Sequence, residues 1–242
     1  MKLDEESLTP LYQQAMEEIK KSINNGSYNT GDKIPSEAEL SEMFAVSRIT
    51  VRRAVEELVD EGILTKKQGK GTYVTHRKLH RKITQESMVQ SFSDTCKLNG
   101  LTPGAHVIER KIVAAGKEGQ RRLGLNPDDK LIYIRRVRTA DGDPIMLENN
   151  YYNYNRFAFL IDADLDDTSL FDLIEEKLGF RPDDSTPSNI EIVLATTDTA
   201  RDLSVGVGEP LFLLDSCMMG NNGEALFFEH QYIVGSRFIF VV

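Results

Sequence analysis

Three observations predict an α+β fold for this sequence. The first 75 residues hold two short capped helices followed by a glycine-containing hairpin. From residue 88 onward, strand-like runs alternate with isolated helices. Between them lies a polar, basic stretch, residues 76–87, with little apolar periodicity. Strands joined by hairpins and interrupted by separate helices point to a mainly antiparallel sheet. Two domains and a linker follow, at 1–75, 88–242 and 76–87, a division that suits a 242-residue chain.

The elements can be justified in order. Thr9 and Pro10 open a first helix with Tyr12, Met16, Ile19 and Ile23 on one face. Ser36-Glu37-Ala38-Glu39 forms a capping box for a second helix, whose apolar stripe is Leu40, Met43 and Phe44. Ala45-Val46 makes the turn. Ser47 caps a third helix in which Val51, Ala54, Val55 and Leu58 repeat at helical spacing. The run from Ile63 to Val74, with Gly69 and Gly71, is predicted as a hairpin. Helix, turn, helix and hairpin in that order describe a winged helix-turn-helix.

In the second part, a helix capped by Ser91 is expected to run toward Asn99-Gly100. Strands are expected at 106–114, 131–139 and 145–152, with Asp141-Gly142-Asp143-Pro144 as a turn. Thr168 or Ser169 caps a helix ending at Gly179. Two further strands flank Gly220-Asn221-Asn222-Gly223, and a last one runs toward Val242.

The net charge of −9 argues against nucleic acid only if its distribution is ignored. Residues 43–82 carry 10 basic against 4 acidic side chains. A local basic surface is what meets phosphate. Nothing approaches the apolar length of a membrane span, and the acidic N-terminus has no signal-peptide stretch, so a cytoplasmic protein is expected. Cys96 and Cys217 are far apart and outside any metal-binding spacing, which suggests two buried, inert thiols. His76 and His80 are four apart beside Arg77 and Arg81 in the linker. They have no third ligand in view and are expected to be solvated; no metal or cofactor is expected.

The third helix opens Ser47-Arg48-Ile49-Thr50-Val51-Arg52-Arg53. Arg48 and Arg52 share its outer face, with Thr50 and Arg53 beside them. The N-terminal end of such a helix fits the major groove, where arginine pairs with guanine O6 and N7. Ser36 and Ser47 offer hydroxyl and backbone N–H groups to phosphate. In the hairpin, Lys66, Lys67 and Lys70 surround Gly69 and Gly71, where the chain can approach the duplex closely. The motifs Ile34-Pro35-Ser36-Glu37-Ala38-Glu39-Leu40, Ser47 to Ala54, Glu61-Gly62 and Gly69 to Val74 resemble the N-terminal domain of GntR-type bacterial transcription regulators. The resemblance implies operator DNA as a partner, with Arg48, Arg52 and Gly69 as inherited contacts. Ala38 stands where that family often carries a DNA-contacting arginine.

Arg136 and Arg138 alternate on a predicted strand and point to one face, where two guanidiniums can clamp an oxyanion. Ser91 and Ser169 stand at helix starts, which favour anions. The residues alone allow a second reading, an ion-paired strand face with serines as plain caps. Ser91-Phe92, Gly100-Leu101-Thr102-Pro103-Gly104, Arg136-Val137-Arg138, Ala140 to Ile145, Glu148, Ser169-Leu170-Phe171 and Gly235-Ser236-Arg237-Phe238 resemble the UTRA effector domain of the HutC subfamily. This fold is similar to chorismate lyase. In relatives sensing sugar phosphates, the implied roles are phosphate binding by the Ser-Phe loop (Ser91, Phe92), the two arginines and Ser169, and sugar-hydroxyl binding by Glu148. Phe171 replaces a common tyrosine, and Val234 and Ser236 alter the usual Arg-Gly-Asp-Arg strand start; Tyr232 or Ile233 is then expected near the pocket, of which only Tyr232 can hydrogen-bond.

The expected molecule is a homodimeric, effector-responsive transcriptional regulator that represses a carbohydrate or related operon. A small phosphorylated metabolite, a sugar phosphate or other organic phosphate, would release it from double-stranded DNA. Two rivals are a chorismate-lyase-like enzyme carrying a DNA-binding head, and a DNA binder with a vestigial pocket. No catalytic acid–base pair supports the first.

Overall fold

In the computed structural model, residues 3–4, 7–75, 78–82, 89–182, 184–186, 189–220 and 222–241 are described. The chain divides into two units, Met1–Arg77 and Lys78–Val242.

The first unit contains α1 (Leu11–Asn24), α2 (Glu37–Phe44) and α3 (Arg48–Asp60), then β1 (Leu64–Lys67) paired antiparallel with β2 (Gly71–Val74). Its core joins Ala15, Met16 and Ile19 of α1, Leu40 and Phe44 of α2, and Val51, Ala54, Val55 and Leu58 of α3. Met43, expected in the α2 stripe, is exposed instead. Helix α1 begins one residue later than predicted, with Pro10 at the N-cap and Gln14 donating to the Thr9 carbonyl. Ala45 ends α2 in the left-handed region at φ 57°, and the Ser41 hydroxyl donates to the Val46 carbonyl at 2.6 Å. That bond holds a turn which a side chain at Cβ disfavours. Residues 31–34 run along β2, through Ile34 N–H to Thr72 O and Val74 N–H to Asp32 O, and widen the wing.

The second unit begins with β3 (Leu79–Lys82) and continues through α4 (Phe92–Leu98), β4 (Pro103–Ala114), α5 (Gly116–Leu123), β5 (Lys130–Ala140) and β6 (Asp143–Asn153). Next come α6 (Tyr154–Phe157), α7 (Leu170–Leu178), β7 (Asp184–Ser185), β8 (Asn189–Leu194), α8 (Thr197–Leu203), β9 (Pro210–Met219), β10 (Ala225–Val234) and β11 (Phe238–Val241). A seven-stranded, wholly antiparallel sheet runs β4-β5-β6-β10-β9-β7, with β8 also paired to β9. The predicted turn between β5 and β6 places Asp141 and Gly142 at φ 50° and 85°, a pairing that suits a tight hairpin.

One part of the expected linker is a strand. Residues 79–82 pair in parallel with β11, Leu79 opposite Phe238 and Arg81 opposite Phe240. Leu79 is fully buried among Phe92, Cys96, Ile145 and Phe238. A four-residue strand with one apolar side chain carries too little period to be read locally.

Candidate functional site

The structure sets the basic side chains of the first unit around an acidic one. Arg52 Nε donates to Glu37 Oε2 at 3.1 Å, and Lys66 Nζ donates to Glu37 Oε1 at 3.2 Å. Partial burial works to raise the Glu37 carboxyl, but those two bonds win and hold it below its ordinary value. Glu37 is the residue that motif reading passed over. It lies in the first turn of α2, where an acid ordinarily counts only as a favourable dipole partner.

Arg48 is exposed, with no hydrogen bond or ion pair among the described residues. It is therefore the cation of α3 already presented without competition. Arg53 is exposed like Arg52 and lies 3.8 Å from Glu57, one turn on in the same helix. Its guanidinium lies 3.8 Å from the Tyr12 ring centroid, over α1. The helical angle of residue 53 carries it toward the α1 side, while Arg48 and Arg52 stay on the outer face.

Ser36 and Glu39 complete the capping box, with the serine hydroxyl donating to Glu39 at 2.7 Å. Ser47 accepts from the Thr50 N–H and lies 2.8 Å from its hydroxyl. In the wing, Lys67 sits 4.6 Å from the Tyr73 ring and Lys70 is exposed beside it. Gly69 has φ 71° and open space around it; at Gly71, φ 124°, an added Cβ would collide with the Lys33 side chain. The Lys33 side chain can swing aside, so the demand for glycine at Gly71 comes from its φ of 124°.

In the second unit, β5, β6 and β10 present a grid of polar side chains from one face of the sheet. Arg136 and Arg138 alternate on β5. Glu148 and Asn150 do so on β6, and Glu229 and Gln231 on β10. In register, Arg136 is opposite Glu148, Glu148 opposite Gln231, and Asn150 opposite Glu229. These six line one cavity with Arg81, Ser91, Phe92, Ser169 and Phe171. The sequence-assigned residues Ser91, Phe92, Arg136, Arg138, Glu148, Ser169 and Phe171 are therefore brought together.

Tyr232 is not among them. It packs with Val137, Leu147 and Val234 on the other face of the sheet. Alternation along β10 puts Gln231 in the cavity instead, an outcome fixed by period two.

The two arginines are substantially engaged by the protein. Arg136 is fully buried and donates to the Leu165 and Thr168 carbonyls at 3.3 and 3.1 Å and to Glu148 at 3.0 Å. Arg138 donates to Gly104 O and Ser93 Oγ, and its guanidinium lies 4.7 Å from the Phe92 ring. Both readings left open by the residues are thus realised in part: the pair faces a cavity and is also ion-paired. Burial alone would raise the Glu148 carboxyl; Arg138 and then Arg136 pull it below the ordinary range.

Glu229 is less well compensated, with only Arg81, among the described residues, as a nearby cation working to lower it. Burial, followed by the charge of Glu148, pushes it to about 7, against the hydrogen bond it accepts from Ser216 at 3.0 Å. The buried amide oxygens of Asn150 and Gln231 have no hydrogen-bond donor among the described residues. Unpaired acceptors in a cavity favour an occupant rich in donors. Cavity space is ≈ 30 Å³, room for water but small for a ligand of sugar-phosphate size. A larger occupant enters only as the lining side chains move apart.

Residues 11–74 match the family described as bacterial regulatory proteins, gntR family, and residues 98–239 match the UTRA domain. The chain belongs to the GntR family, in its UTRA-bearing HutC branch. It is 32% identical over 243 residues to the HTH-type transcriptional repressor NagR of Bacillus subtilis, covering 100% of this chain and 97% of that one. The mannosyl-D-glycerate transport/metabolism system repressor MngR of Escherichia coli is 29% identical over 202 residues, covering 84% of this chain and 82% of MngR. PhnF from Mycobacterium smegmatis shares the fold, with a TM-score of 0.67 at 24% identity over 94% of this chain and 98% of that one.

As a GntR-family protein the chain is an effector-responsive transcriptional regulator, whose partners are operator DNA and a small molecule. Those relatives are regulators, not enzymes. Among the described residues, no helix is long and apolar enough to cross a membrane.

Proposed function

We propose that this regulator is a cytoplasmic, homodimeric repressor of a carbohydrate catabolic operon, released from its operator by a phosphorylated metabolite of sugar-phosphate size. The observation that carries the reading is the composition of the β5-β6-β10 face. Guanidiniums suited to an oxyanion stand beside orphan acceptors suited to hydroxyl groups, in one cavity. MngR, whose name refers to a mannosyl glycerate, supports a polyhydroxylated ligand class.

In this reading Arg48, Arg52 and Thr50 read bases, while Ser36, Ser47, Lys67, Lys70 and the glycines Gly69 and Gly71 position the phosphate backbone. Ligand and operator oppose one another by reciprocal linkage.

The test is thermal unfolding of the full chain against a panel of phosphorylated sugars and small acids. A cognate ligand at a hundredfold excess over its Kd stabilises by about 2.7 kcal/mol, and Arg138→Met removes that gain. A panel that leaves the midpoint unchanged would favour a vestigial pocket.

A further inference from the structure

The least committed cation of the cavity comes from the stretch that sequence reading assigned to the linker. Arg136 donates to two carbonyls and Glu148, its Nε alone lacking a partner among the described residues, and Arg138 donates to a carbonyl and a serine and lies 3.7 Å from Glu148. Arg81 also lines the cavity. Among the described residues its guanidinium has no hydrogen bond and no ion pair, although it feels the charges of Glu229 and Glu148. Three guanidiniums there face two carboxylates, leaving a net positive charge that an oxyanion would balance.

The placement of Arg81 follows from a short strand with one buried anchor. Leu79 is fully buried, and period two turns Arg81 to the same side while His80 and Lys82 are exposed. Two devices hold the strand: its ladder with β11, and Asn99 at the C-cap of α4. The Asn99 amide accepts from the His80 N–H at 3.1 Å and donates to the His80 carbonyl at 2.9 Å. Helix α4 is capped by Ser91, itself in the cavity lining. Strand β3 therefore touches the cavity through its own arginine and is tied to a helix whose other end also lines it.

We infer that Arg81 is a further effector-engaging residue, donating to the oxyanion of a phosphate-bearing ligand, and that this contact couples cavity occupancy to β3. This rests on the anion-binding reading of the cavity given above. The chain segment so constrained begins the second unit, directly after residue 77, where the DNA-binding unit ends. An occupant that recruits Arg81 alters the strand from which the connection to that unit departs. The cavity is too small for such an occupant without side-chain movement, and a guanidinium with no bonds to break among the described residues is the cheapest to move.

The experiment uses the full chain and inorganic phosphate as probe, in chloride-matched buffer of constant ionic strength. Apparent Kd is read from thermal unfolding, and amide exchange of residues 78–82 is followed by mass spectrometry. Arg81→Met is expected to weaken phosphate binding at least about tenfold, Arg81→Lys by about threefold and the exposed control Lys97→Gln by less than about twofold. Phosphate should slow exchange in 78–82 several-fold in the unaltered chain and not in Arg81→Met. The exchange readout on the unaltered chain stands even if Arg81→Met fails to fold. A phosphate response lost in Arg138→Met but kept in Arg81→Met, or exchange in 78–82 that ignores phosphate, overturns the inference alone. No phosphate response in the unaltered chain overturns the anion-binding reading and this inference with it.

Discussion

Glu229 and Arg48 show what single side chains decide in this molecule. Glu229 is buried beside Glu148, and its carboxyl is pushed up to about 7. A carboxyl whose folded value lies above its unfolded one stabilises the fold below the unfolded value, and that contribution is lost as pH rises through about 7. Stability should therefore fall between about pH 4.5 and pH 7 through this group, by an amount on the order of 3 kcal/mol. Glu229→Gln should flatten that slope; denaturant unfolding across the pH range checks it, and an unchanged slope would place the titration elsewhere. Removing one partner of the buried Arg136–Glu148 pair, 3.0 Å apart, leaves the other charge uncompensated, and Glu148→Ala should cost about 3–5 kcal/mol. In the first unit, Arg48→Ala should relax base preference at a cost of about 1–3 kcal/mol in operator binding. Arg53→Ala, which loses a ring contact with Tyr12 and an exposed ion pair with Glu57, should change folding stability by less than about 1 kcal/mol.

At the scale of elements, the acidic end of α2 restrains the basic face of α3 and the wing. Glu37 holds both Arg52 and Lys66. Glu37→Gln should therefore free Arg52 and loosen Lys66, which keeps Glu56 at 3.8 Å, tighten binding to all duplexes and steepen the dependence of affinity on salt. An unchanged salt slope in anisotropy titrations would mean the Glu37 pairs do not compete with phosphate. Lys67→Ala should act in the opposite direction, reducing that slope by about 1. The helices and wing of the first unit were legible because caps at Ser36 and Ser47 and helical spacing of Val51, Val55 and Leu58 agree. Arg136 and Arg138 could be placed on one face by alternation within a predicted strand, while Glu148 came from the resemblance to the UTRA domain and joins them through the β5-β6 register. Asn150 follows from the same alternation once Glu148 is fixed. Glu229, Gln231 and Arg81 could not be placed, because their positions depend on the pairing of β10 with β6 and of β3 with β11. Such register is set by long-range packing, not by local pattern. Helices α5 and α8 escaped notice because they are short and largely polar: α5 carries Gly116, Gly119 and three basic residues, and α8 buries only Ala200 and Leu203.

For the whole molecule, the account reduces to a basic helix that enters a duplex and a second unit whose occupancy opposes that entry. A regulator with a dyad reads two half-sites related by two-fold symmetry. The most direct measurement is in vitro selection from a random duplex library with the full chain at low ionic strength, repeated with Arg48→Ala. Enrichment of an inverted repeat by the unaltered protein, degraded at the bases lost to Arg48→Ala, is the predicted result. A library that emerges without any enriched sequence, or one enriched equally by both proteins, would contradict it.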